Sequence, residues 1–176
     1  MRTAVVVCVA LLATAAASAA PPSFRFTGSS DVHPGKPIAK RFTCDGRDVA
    51  PQLVWTGVPK RAKELALVLE DPDAPGRTFT HWLVYRISPV LDRWRRAGWS
   101  EYAHVGAPRT GRNDFGKVGY GGPCPPAGQT HHYVFRLLAL DARLKLGRGA
   151  DRAAFDRAIA HHVLAQARLV ATYARQ

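Results

Sequence analysis

"ELALVLEDPDAPGRTFTHWLVYRIS", from Glu64 to Ser88, decides the fold. The runs "LALVL" and "LVY" are apolar on consecutive residues, which is the pattern of strands covered on both faces, as inside a sandwich or under a helix. Between them lies "DPDAPG", where Pro72 and Pro75 hold Asp71 and Ala74 extended and exclude a helix. Two buried strands joined by a stiff loop therefore anchor the chain. The loop fixes the carboxylates of Asp71 and Asp73 at a strand end.

Outward from this hairpin, "QLVWTGV" (52–58) and "HHYVFRLLAL" (131–140) also read as strands, rich in aliphatic and aromatic residues and bounded by Pro, Gly or Asp. Trp55 and Trp82 read as core aromatics. From Asp151 the pattern changes. Phe155, Ile159, Val163, Ala167 and Val170 recur at helical spacing, and Asp151 suits the N-cap position. The spacing predicts an amphipathic helix through the C-terminus, with His161 and His162 on it. At 176 residues, with no internal repeat and no long linker, the chain suits one domain that is mostly β and closed by a helix.

Residues 1–20 behave differently from the rest. Arg2, the apolar stretch "AVVVCVALLA" and the small-residue run "TAAASAA" form a secretory signal with a cleavage site after Ala19 or Ala20. The expected organisation is a signal peptide at 1–20 and a single domain at 21–176, placed in the periplasm or secreted. Cleavage removes Cys8 and leaves Cys44 and Cys124. In an oxidising compartment this even pair suggests a disulfide, and two free thiols are the competing reading.

The formal net charge of +12 comes mainly from arginine. Such a field concentrates phosphates and anionic lipid surfaces around a protein. The basic residues are scattered except for "RWRR" (93–96), which reads as a solvated surface, and neither a helix-turn-helix pattern nor a zinc-finger spacing accompanies them. A specific nucleic-acid partner is therefore not expected.

A second chemical segment is "GRNDFGKVGYGGPCPPAGQTHHYVF" (111–135). Its density of glycine indicates backbone at positive φ or brought close to another group. It is not a Walker loop, because Val118 follows Lys117 where Ser or Thr is required. On the strand that follows, His131, Tyr133 and Phe135 share one face and His132, Val134 and Arg136 the other. His131 and Tyr133 are then roughly 7 Å apart, placed to grip one small group from two directions. Two adjacent histidines cannot both serve that pocket.

"FTCDGRDVAPQLVWTGVP", "LALVLEDPDAPGRTFTHWLVY", "GKVGYGGPCPPAGQTHHYVFRLLALD" and "HHVLAQARLVATYAR", in this order, resemble the phosphatidylethanolamine-binding protein family, in its bacterial branch of Raf-kinase-inhibitor-like proteins. The resemblance covers most of the mature chain. It implies an antiparallel Greek-key β-sheet fold with a small second sheet and a C-terminal α-helix. It also implies an anion pocket lined by Asp71, Asp73, His81, Pro126, His131 and Tyr133. Imidazole N–H and phenol O–H groups would donate to a phosphate or carboxylate, and Asp71 would orient a histidine. The prolines at 125 and 126 would form a rigid wall. The chain departs from the animal and plant pattern in having only "GRTFT" between "DPDAP" and His81, with no tyrosine there to cover a ligand.

The implied function is non-enzymatic binding of a small anionic or phosphorylated ligand, with a phospholipid headgroup as one candidate. No cofactor is called for. Ser23, Ser29, Ser30, Ser88 and Ser100 sit in none of the usual nucleophile contexts, and His81, His131 and Asp71 lack a diagnostic metal-ligand spacing. The alternative is a protein-interaction role, such as inhibition of a protease through the loop from Arg93 to Gly111. An anionic lipid surface and a homodimer are further partners left open.

Overall fold

The computed structural model describes residues 23–29, 31–95 and 106–176. Residues 1–20, expected to be a signal peptide, with Cys8, Arg96 of the basic cluster and most of the 93–111 loop lie outside the described residues. Eight strands and one α-helix are described: β1 (Arg25–Gly28), β2 (Leu53–Thr56), β3 (Glu64–Asp71), β4 (Phe79–Ile87), β5 (Arg93–Trp94), β6 (Arg109–Thr110), β7 (Thr130–Leu140), α1 (Arg152–Ile159) and β8 (Val163–Ala174). They form a small antiparallel sheet, β1-β2-β5, and a five-stranded antiparallel sheet, β6-β4-β3-β7-β8.

β3 is buried along its whole length, as its uninterrupted apolar run requires. Leu65, Leu67 and Leu69 point into the main core between the sheets, with Trp55, Trp82, Tyr133 and Phe135. Ala66 and Val68 point to the other face, where Leu83, Tyr85, Leu138 and Phe155 make a smaller core under α1. Trp82 packs edge-on against Trp94 and Tyr120. Both aromatics read as core are core.

The C-terminal helix is present but much shorter than its spacing predicts. Asp151 caps α1, accepting from the Ala154 N–H at 2.7 Å, and Phe155 is the residue that α1 buries. The helix ends at Ile159, and His161 then takes φ +67°. His161 and His162 therefore lie in a turn, with His162 Nδ1 2.8 Å from Asp141. From Val163 the chain is strand, and β8 pairs with β7 from Leu140 back to Thr130. Burial of Ala167, Leu169, Ala171 and Tyr173 at alternate positions, together with the β7 ladder, outweighs the helix preference of this alanine- and arginine-rich segment.

Candidate functional site

The site begins with an irregularity in the hairpin that opened the sequence. Leu69 faces Trp82 across the ladder, yet Glu70 faces Thr80, so His81 is one additional residue on β4. This bulge puts His81 on the same face as Trp82, which strict alternation forbids. Glu70 and Thr80 turn to the opposite face, where Glu70 pairs with Arg136 at 3.3 Å and with Arg152. Arg152 in turn holds Asp156 at 2.7 Å, so α1 is clamped to the back of the sheet.

On the front face the ends of β3, β4 and β7 bring together Asp71, His81, His131 and Tyr133, all buried. His131 Nδ1 lies 2.8 Å from Asp71 Oδ2. A carboxylate there fixes the N–H on Nδ1 and turns Nε2 outward, 3.2 Å from the Gln129 side chain. His81 Nδ1 lies 2.9 and 3.0 Å from the carbonyl oxygens of Gly121 and Gly122. Both partners are acceptors, so Nδ1 carries the proton, and Nε2 stands 4.0 Å from Asp71 Oδ2. Burial lowers the His81 pKa and outweighs the opposing effect of the two carbonyls and Asp71. The Tyr133 pKa is pushed up, first by burial and then by the Asp71 charge. Its hydroxyl has no hydrogen-bond partner among the described residues.

Two of the sequence-predicted residues stand apart from this cluster. Asp73 is exposed, and its Oδ2 accepts from the His132 backbone N–H and meets His132 Nδ1, both at 2.7 Å. Those contacts hold its pKa down, with the backbone N–H contributing most. Asp73 thus ties the β3–β4 loop to β7, while its own N–H donates to Asp71 Oδ1 at 2.9 Å. Pro126 is exposed too, its carbonyl accepting from Gln129 N–H at 3.1 Å, whereas Pro125 is buried.

The 120–124 loop is fastened from behind. Cys44 and Cys124 are bridged, with Cα atoms 5.4 Å apart, which decides between the two readings that the cysteine count left open. Around the bridge, Cys44 N–H donates to Pro123 O at 3.1 Å, Tyr120 OH to Phe42 O at 2.6 Å, and Gly122 N–H to Asp48 at 2.6 Å. Gly122 is required there, because a Cβ would come within 2.3 Å of Phe42 O.

Three residues joined to the cluster were not singled out from sequence. Gln129 reaches His131. Phe79 and Phe115 stack around His81 at 4.9 and 5.3 Å, and Phe115 is 44% exposed. Phe115 is thus the exposed edge of the aromatic group around His81. An apolar aromatic inside the polar stretch "RNDFG" was the available signal.

The chain is thus a two-sheet β domain with two histidines about a buried aspartate at one end of its larger sheet. Residues 28–174 match the phosphatidylethanolamine-binding protein family. The chain belongs to that family, in its bacterial branch. It is 43% identical to a UPF0098 protein of Aquifex aeolicus, over 80% of this chain and 83% of that protein. It is 44% identical to LppC of Mycobacterium tuberculosis, named as a candidate lipoprotein, over 79% of this chain and 67% of that one. The crystal structure of Escherichia coli YbcL, described as a new member of the mammalian family, superposes with a TM-score of 0.78 at 30% identity, covering 87% of this chain and 99% of that one.

Proposed function

We propose that this chain is exported and, with residues 1–20 removed, acts as a non-enzymatic binding protein for a small anionic or phosphorylated ligand of the kind a phospholipid headgroup offers. The ligand would be held by His81, His131 and Tyr133, with Asp71 orienting His131, while Asp73 and Pro126 shape the mouth. One observation carries the reading: the Tyr133 hydroxyl is buried beside Asp71 with no hydrogen-bond partner among the described residues, next to two imidazoles whose Nδ1 atoms are already engaged. An unsatisfied buried hydroxyl costs about 1–3 kcal/mol, which a ligand oxygen would recover. Family membership supports a binding role, and the candidate lipoprotein among the relatives supports a place outside the cytoplasm. Against chemistry on the ligand, Cys124 is locked in the disulfide and the hydroxyl of Ser29 is engaged by the Gln52 carbonyl.

The charge balance makes a sharper statement. With its Nδ1 proton spent on carbonyls, neutral His81 has only a lone pair on Nε2, so donating to an anion requires a second proton. Binding of a phosphate should therefore take up a proton, and affinity should rise as the pH falls toward 6.5 and below until the ligand itself is neutralised.

The direct test is an NMR titration with inorganic phosphate and then phosphorylethanolamine, following the imidazole signals of the wild type and His131→Ala. Saturable shifts at His81 and His131 that vanish in the variant are expected. Absence of any shift up to tens of millimolar, well above the roughly 1 mM scale of a weak site, would overturn the proposal.

A further inference from the structure

The opposite end of the five-stranded sheet holds a second construction. β3 runs from Glu64 to Asp71, which places its first residue about 23 Å from the histidine cluster. Glu64 is 2% exposed, and its two carboxylate oxygens accept from the backbone N–H of Arg86 at 2.7 Å and of Leu144 at 3.0 Å. These amides belong to different segments, the end of β4 and the loop after β7. One buried carboxylate thereby sets the spacing between Arg86 and the neighbour of Leu144, Arg143.

Arg86 stands where β4 bulges, between the pairs Leu67–Val84 and Leu65–Ile87, and it adopts φ +60°. A non-glycine residue in that region carries strain, which a replaceable surface arginine would not need to bear. Arg86 and Arg143 line both of two adjoining clefts, and neither guanidinium makes a hydrogen bond among the described residues. Arg109 adds a third, held by donating from Nη1 to Leu146 O at 2.7 Å. Lys63 lines one cleft and Lys145 the other, and the cleft that Arg109 lines has a volume of about 440 Å³. Five cations thus line the two clefts, whose one carboxylate has both oxygens occupied by amides.

We propose that these adjoining clefts form a second anion site, for a ligand with two or more linked phosphates of the diphosphate or polyphosphate type. Two guanidiniums on facing segments, both beside the Glu64 charge and neither hydrogen-bonded among the described residues, suit two neighbouring tetrahedral groups, because each can present a pair of N–H donors to one of them. A single phosphate would engage only one. The site stands apart from the histidine cluster and uses none of its residues.

The experiment is a titration of the mature, disulfide-bonded protein with inorganic pyrophosphate at fixed ionic strength, read by calorimetry and by backbone amide shifts. Saturable binding with shifts at Arg86, Arg143 and Leu144 is expected. Arg86→Gly with Arg143→Gln should weaken it at least tenfold, and inorganic phosphate should bind this site far less tightly than pyrophosphate. Glycine keeps the positive φ at position 86, so that change removes the guanidinium without adding strain. Arg143 is exposed and makes no hydrogen bond among the described residues, so Arg143→Gln alone carries the test should the double variant fold poorly. His131→Ala should leave pyrophosphate binding at this end unchanged. Equal affinity in wild type and arginine variants, or shifts that never saturate and vanish with added salt, would overturn the proposal.

Discussion

His81 reaches the cluster through a single inserted residue. Without the bulge its ring would follow Leu83 into the core under α1, and Asp71 would face His131 alone. Its burial has a consequence for stability. The folded-state pKa lies below the ordinary 6.5, so between that lower value and 6.5 the unfolded chain binds more protons than the folded one. Stability is therefore lost as the pH falls through this window. Urea midpoints measured from pH 7.5 to 5 should decline in the wild type, and the decline should be smaller in His81→Gln. An identical profile in the two would show that His81 does not carry the effect. Asp73 adds a loss at lower pH: its depressed pKa favours the folded state above the unfolded value, and that contribution disappears as the pH falls through the folded one.

At the scale of elements, α1 is small and rests on a few contacts. Asp151→Ala removes the cap and should cost about 1 kcal/mol. Phe155→Ala removes the one large side chain that α1 buries and should cost about 3–5 kcal/mol, both read from urea denaturation. β2, β3, β4 and β7 were legible because "LVWT", "LALVL", "LVY" and "VFRLLAL" are aliphatic- and aromatic-rich runs between turn residues. β8 was not. Its buried positions at 167 and 171 are alanines, equally at home in a helix, and the ladder with β7 that decides the matter cannot be seen from local spacing. The bulge at His81 was hidden for the same reason, since an inserted residue shows only against its partner strand. Asp71, His131 and Tyr133 were legible from proline-fixed geometry and strand alternation. The Asp73–His132 pairing depends on how the β3–β4 loop folds against β7, and so escaped.

For the whole molecule, the Cys44–Cys124 bridge closes a loop across 80 positions. The chain-entropy relation assigns such a closure roughly 4 to 5 kcal/mol, and Cys44→Ser with Cys124→Ser should lower unfolding free energy by up to that amount. Phosphate shifts at the histidines should survive where the double variant remains folded, because Gly122 is also held by Asp48. The far edge of β8 is covered as well. Gly35 and Ile38 donate to Val170 and Thr172, and Thr172 donates back to Lys36, so a proline-containing segment from near the start of the fold lies along the last strand. That arrangement dictates an order of assembly. The larger sheet cannot close before β8 is in place, because β8 bridges β7 to the segment around Pro37. Deleting β8 would leave two strand edges seeking partners on other molecules.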